Sequence, residues 1–225
     1  MTDIQHNITE LLKKIPKNVC LVAVSKTKPL ADLQEAYNIG QRVFGENKVQ
    51  ELTEKHEKLP KDIQWHMIGH LQTNKVKYIS PFVTLIHSVD SIKLLHEINK
   101  QGAKNNRVLD CLLQVHIAEE DTKFGFDFKE VSDFLKSEEL ANLSNIRIKG
   151  LMGMATFTED ITKVKREFES LNMLFQQLKN DISQSNVTLE TLSMGMSGDY
   201  DLAIAAGSNM IRVGSSIFGS RNYNI

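Results

Sequence analysis

Short apolar runs rich in β-branched residues alternate with longer amphipathic stretches along nearly the whole chain. The first run is Cys20-Leu-Val-Ala-Val-Ser-Lys26, of strand length. Pro29 then opens a helix-like stretch to Ile39, and Gly40 closes it. The alternation continues with a strand over 42–45, a polar helix over 47–58, a strand over 63–69 and a short helix over 73–78. A strand over 83–89 follows, then a helix over 91–99 stopped by Gly102, and a long strand over 107–117. Residues 128–135 are amphipathic, and a sixth strand spans 145–154. Val164, Phe168, Leu171, Leu174, Phe175 and Leu178 recur at helical spacing and predict a helix over 161–178. A seventh strand over 191–196, a short helix over 199–206 ending at Gly207, and an eighth strand over 210–218 complete the pattern.

Strands that alternate with helices read as parallel β/α units, because parallel neighbours need a crossover between them. Eight such units predict a (β/α)8 TIM barrel in the α/β class, and 225 residues lie toward the short end for it. No shift in composition and no Pro/Gly/Ser-rich linker divides the chain, so residues 1–225 are expected to form a single domain. The first strand-to-helix turn lacks the G-x-G-x-x-G fingerprint, which argues against a dinucleotide-binding open sheet.

Composition narrows the partners. Lys+Arg total 27 against 28 Asp+Glu, a formal charge of −1, so no global basic field exists to hold nucleic acid or an anionic membrane. Any anion must be held by a local site. The two cysteines, Cys20 and Cys111, are far apart in apolar runs, which excludes a disulfide scaffold and predicts reduced, buried thiols. The N-terminus is polar, without the apolar core of a signal peptide, and no window reaches the ~20 apolar residues of a membrane helix. A soluble, cytoplasmic protein is expected.

In a barrel of this kind the chemistry sits at the C-terminal strand ends. Lys26 ends the first strand on the face shared by Val22 and Val24. If that face is interior, partial desolvation favours the neutral amine that attacks carbonyls; otherwise Lys26 is a surface lysine beside Lys28. Ser193-Met-Gly-Met-Ser-Gly-Asp199 lies between the seventh strand and a helix, and Arg212-Val-Gly-Ser-Ser216 ends the eighth. Small residues let a ligand approach the backbone, and Ser197 or Asp199 can cap the helix near Tyr200. The two segments read as a phosphate cup or as two tight turns. A strand-end lysine next to a phosphate cup suggests pyridoxal 5′-phosphate (PLP), which needs an amine for its aldehyde and a cradle for its phosphate. An arginine such as Arg212 at the pyridine nitrogen would leave the ring unprotonated and a weaker electron sink.

Six segments carry a resemblance to a known family: 23–29 (AVSKTKP), 44–47 (FGEN), 65–75 (WHMIGHLQTNK), 149–154 (KGLMGM), 193–199 (SMGMSGD) and 211–215 (IRVGS). Together they resemble, in order, the PLP homeostasis proteins, also called the YggS or PROSC family. The resemblance implies a barrel like the alanine racemase N-terminal domain, with PLP bound as an aldimine on Lys26. It implies Asn47 beside the cofactor and Arg212 facing the pyridine nitrogen. Ser193, Met196, Ser197, Gly214 and Ser215 would hold the phosphate. It further implies a non-catalytic carrier that buffers or supplies PLP, with PLP-dependent apo-enzymes as partners.

An amino-acid racemase-like PLP enzyme is the alternative, and an aldolase using Lys26 as a Schiff base is a third reading. Racemases draw one base from a tyrosine on a second domain. This chain ends just after the predicted eighth strand, with Tyr37, Tyr78, Tyr200 and Tyr223 in helices or the tail, so carrier function and a monomer are expected. Lys123, among Glu119, Glu120 and Asp121, is a candidate second PLP-responsive lysine. His66 and His70 straddle a strand end, so no metal site is expected.

Overall fold

The computed structural model describes residues 1–119 and 125–219. Eight parallel strands close on themselves in the order β1-β2-β3-β4-β5-β6-β7-β8. They are β1 (Cys20–Val24), β2 (Val43–Glu46), β3 (Gln64–Met67), β4 (Leu85–Val89), β5 (Leu109–Gln114), β6 (Ile146–Met152), β7 (Val187–Ser193) and β8 (Met210–Val213). The helices are α1 (Asp3–Lys14), α2 (Leu30–Asn38), α3 (Val49–Lys58), α4 (Val76–Ile79), α5 (Ile92–Lys104), α6 (Phe128–Leu135), α7 (Glu138–Ala141), α8 (Ile161–Asp181), α9 (Tyr200–Ala205) and α10 (Ser215–Phe218). The alternating pattern therefore builds the predicted barrel, closed by β1 against β8 with Cys20 opposite Met210 and Val22 opposite Arg212.

Strand periodicity sorts the side chains. Leu21, Ala23, Phe44 and Trp65 belong to the large core between strands and helices. Val22, Leu85, Leu112, Met152 and Met210, one each from five strands, form a separate cluster inside the barrel. The Val22–Val24–Lys26 face is thus the interior one, as the period of two predicts. Above the apolar layer lies a polar one, with His66, His87, Ser193 and Arg212 all buried.

Among the boundaries that differ from expectation, three have a clear physical reason. Gly102 does not stop α5, which runs on to Lys104. A Cβ at Gly102 would lie 2.6 Å from the Asn145 carbonyl, so this glycine serves a close backbone approach, and the turn falls to Asn106 at φ +52°. The apolar end of the eighth predicted strand is instead α10, whose Ile217 and Phe218 are buried and whose Ile217 carbonyl accepts from Asn7 Nδ2. A short apolar run does not distinguish strand from helix. The seventh strand begins earlier and ends at Ser193, which frees 194–199 as a loop. Of the cysteines, Cys111 is buried and Cys20 half-buried.

Candidate functional site

A cleft of about 470 Å³ opens at the C-terminal end of the barrel. Lys26 enters it from the end of β1, Asn47 from the end of β2, and Arg212 from within β8. Met196, Ser197, Gly198 and Asp199 follow β7, and Gly214 and Ser215 follow β8. Seven of the eight residues singled out in the sequence line this one space: Lys26, Asn47, Met196, Ser197, Arg212, Gly214 and Ser215.

Ser193 is the exception. It is fully buried below the cleft, and its Oγ accepts from Arg212 Nη1 at 2.6 Å and lies 3.2 Å from His87 Nδ1. The hydroxyl is a partner of Arg212 and not a cleft-lining group, because β7 ends on it with its side chain turned inward. Arg212 Nη1 also reaches the Ser193 carbonyl at 2.9 Å, and Nη2 reaches the Gly153 carbonyl at 3.0 Å. His87 Nε2 meets His66 Nδ1 at 3.0 Å, which carries the buried polar layer across to β3.

Charge in this layer follows from burial. Desolvation drives His66 down to about 3 and His87 well below its usual range, with His66 and Arg212 adding to the latter shift. Both imidazoles are neutral. The guanidinium can only donate to Ser193 Oγ, and the hydroxyl, His87 and His66 continue the hydrogen-bonded chain across the barrel. Burial lowers Arg212 to about 10, with Asp199 opposing, so it stays cationic at neutral pH.

The loops after β7 and β8 are tied together by Gly214 N–H donating to Ser197 Oγ at 3.1 Å. A Cβ at Gly214 would stand 3.1 Å from the Val24 carbonyl, so this glycine lets the β8 loop lie against the end of β1. As the first residues of α10, Ser215 and Ser216 have backbone N–H groups with no acceptor inside their helix. Asp199 does not cap α9 with its side chain; its Oδ1 turns back to the Met196 N–H at 2.5 Å. Asn47 is held against the end of β3, where a Cβ on Gly69 would be 2.5 Å from the Asn47 carbonyl.

Lys28 also lines the cleft and donates to the Phe218 carbonyl at 2.6 Å. Sequence reasoning passed over it, although Lys-Thr-Lys offers both cations. It also missed Phe157 and Thr158 on the rim, which carry no chemical signature; Phe157 is 99% exposed. Thr27, next to Lys26, has φ +64°. A β-branched residue pays ~1–3 kcal/mol there and stays only where the surroundings impose it.

Beneath that turn Ser25 Oγ donates to Glu46 Oε1 at 2.6 Å, and Glu46 Oε2 has no partner among the described residues. Burial raises the Glu46 carboxyl to about 7, against the pull of Lys55 and the Ser25 hydroxyl. A carboxyl raised above its ordinary 4.5 contributes its full stability below that value and loses it as pH rises through about 7. Wild type is therefore expected to lose stability relative to Glu46→Gln between those two pH values. Melting temperatures of the two proteins across that range test this; a constant gap would mean that Glu46 ionises normally.

Other candidates fall elsewhere. His70 is exposed and pairs with Asp90 at 2.9 Å, whereas His66 is buried in the barrel, so the two do not converge. Ser91 caps α5 by accepting from the Leu94 N–H. Lys123 and Tyr223 lie outside the described residues. No helix among the described residues is long and apolar enough to cross a membrane.

The closed barrel thus sets a strand-end lysine beside a small-residue cup after β7 and β8, and its class is given by comparison. The family described as "Alanine racemase, N-terminal domain" matches residues 1–222. Within that class, the chain belongs to the pyridoxal phosphate homeostasis protein family. It is 41% identical over 204 residues to the pyridoxal phosphate homeostasis protein of Aquifex aeolicus, covering 90% of this chain and 87% of that one. It is 37% identical over 227 residues to the protein of that name from Pasteurella multocida, covering 99% and 94%. Among solved structures, PipY of Synechococcus elongatus with PLP bound superimposes with a TM-score of 0.86 at 34% identity, over 96% of this chain and 100% of PipY.

Proposed function

We propose that this protein binds PLP in the cleft at the C-terminal end of the barrel and serves PLP homeostasis in the cytoplasm, holding the cofactor covalently on Lys26 without catalytic turnover. Residues 1–225 act as one PLP-binding domain. The observation that carries the reading is the convergence of Lys26, Asn47, Ser197, Arg212, Gly214 and Ser215 on one space of about 470 Å³.

The donor set fits the group. Ser197 and Ser215 offer hydroxyls, the loop through Gly214 offers close backbone approach, and the cup lies beside Lys26 because β1 and β8 are neighbours. These residues would take the phosphate, with Met196, Asn47 and Ile68 also lining the cleft. When bound, PLP supplies an electrophilic aldehyde and an electron-withdrawing ring. Arg212 spends three N–H groups on Ser193 and Gly153 and presents the rest of its guanidinium to the cleft. A permanent donor facing the ring nitrogen keeps that nitrogen unprotonated, which weakens the electron sink that amino-acid chemistry requires. The cleft is also open to solvent along the rim at Thr156, Phe157 and Thr158, which favours exchange of a bound group over water-excluded chemistry.

The test is PLP transfer to a PLP-dependent apo-enzyme, with and without this protein at equal free PLP. The reading expects the loaded protein to change the rate of apo-enzyme activation and to show no exchange of the α-hydrogen of amino acids. Steady α-hydrogen exchange that is lost in Lys26→Ala would favour the racemase-like alternative instead.

A further inference from the structure

A second lysine, outside the cleft, holds the turn that presents Lys26. Lys55 lies on α3 and is buried. Its ammonium donates at 2.7 Å to each of three acceptors: the Ser25 carbonyl, Glu46 Oε1 and Glu51 Oε1. An ammonium has three N–H groups, so all three are used within this cluster. The carboxylates then grip the residues on either side of Lys26. Ser25 Oγ donates to Glu46 Oε1 at 2.6 Å, and the Thr27 N–H donates to Glu51 Oε1 at 2.5 Å. Ser25 is fixed further by its N–H to the Gly45 carbonyl at 3.1 Å, and its own carbonyl also accepts from the Lys28 N–H.

The consequence is local and specific. Residues 25 and 27 are both tied to one cluster with Lys26 between them, and Thr27 itself has φ +64°, a conformation that a β-branched residue does not hold unaided. A lysine side chain has four rotatable bonds, so where its amine sits depends on where its Cα is held and along which direction the side chain leaves the backbone. Sequence spacing places Glu51 and Lys55 one helical turn apart, as an ordinary surface pair would be. Burial of the ammonium and its reach to Ser25 set this pair apart from the solvated one at Glu54 and Lys58.

We propose that Lys55, through Glu46 and Glu51, is the positioning residue for Lys26: it holds the strained turn that aims the Lys26 amine into the cleft and so sets how tightly and in what state PLP is held there. This rests on Lys26 being the lysine that carries PLP.

The experiment titrates PLP into wild type, Lys55→Met, Glu51→Ala and Glu51→Gln. Visible absorbance and borohydride trapping on Lys26 are read for each, with thermal melting alongside. Lys55→Met is expected to weaken covalent uptake at least tenfold and to displace the absorbance maximum, a change that lost stability alone does not produce. Glu51 is partly exposed, so its variants fold even where the lysine variant does not. Glu51→Ala, which removes the acceptor of the Thr27 N–H, is expected to weaken uptake about fivefold. Glu51→Gln keeps an oxygen there and is expected to stay within about twofold of wild type. Wild-type affinity and an unchanged absorbance band in Glu51→Ala, and in Lys55→Met where it folds, would overturn the proposal. A wild type that forms no adduct on Lys26 removes the cofactor reading itself, and this inference with it.

Discussion

Replacing Lys26 with alanine is expected to give a folded, colourless protein. In wild type, PLP held on the Lys26 amine, as proposed, would absorb in the visible. The variant keeps the cup of Ser197, Gly214 and Ser215 and the guanidinium of Arg212, so PLP can still enter, but the Lys26 amine is gone and the neighbouring Lys28 amine donates to the Phe218 carbonyl. Retention after gel filtration should fall at least a hundredfold, about 2.7 kcal/mol by the logarithmic relation between affinity and free energy. Stability should move little, because Lys26 is half-buried beyond the last hydrogen-bonded residue of β1 and contributes no side chain to either apolar cluster. The comparison is the absorbance spectrum and PLP content of the two proteins, with melting temperature as the control. Undiminished visible absorbance in Lys26→Ala would move the attachment elsewhere, with Lys28 the neighbouring amine in the cleft.

Arg212→Glu should have the largest effect on the fold as well as on the cofactor. The arginine is 4% exposed and satisfies the Ser193 carbonyl, the Ser193 hydroxyl and the Gly153 carbonyl. A carboxylate there supplies none of those donors; it leaves the buried Gly153 carbonyl unpaired, at about 1–3 kcal/mol, and the Ser193 carbonyl with only the Gly153 N–H. Several kcal/mol of stability should be lost, read as a lower urea midpoint. In the variant that remains folded, a carboxyl facing the ring lets the pyridine nitrogen hold a proton, which should shift the absorbance band and weaken PLP retention. An unchanged spectrum and unchanged affinity would show that residue 212 does not face the ring.

The strands and their order were legible because short apolar runs alternate with longer amphipathic stretches, and the period of two put Val22 and Lys26 on the interior face. The cup was legible from its small residues, and the Lys26 and Arg212 positions from their places at or near strand ends. What stayed hidden has physical causes. Ser193 looked like a cleft hydroxyl because sequence does not say on which residue a strand ends; β7 stops on it with the side chain turned inward. Ile217 and Phe218 read as strand because two apolar residues carry no period. Gly102 read as a helix stop because the Asn145 carbonyl that requires it comes from 43 residues further along the chain. Lys55 and Glu46 drew no notice as partners because a charged residue is ordinarily solvated, and only the three-dimensional packing of α3 against β2 buries them together.

The central claim is that Lys26 carries PLP, and borohydride reduction of the PLP-loaded protein followed by peptide mass spectrometry tests it directly. The account predicts a single pyridoxyl addition on the peptide containing Lys26, in near-stoichiometric yield, that is absent from Lys26→Ala. Reduction that labels Lys28 or scatters over exposed lysines, with Lys26 unmodified, would contradict it.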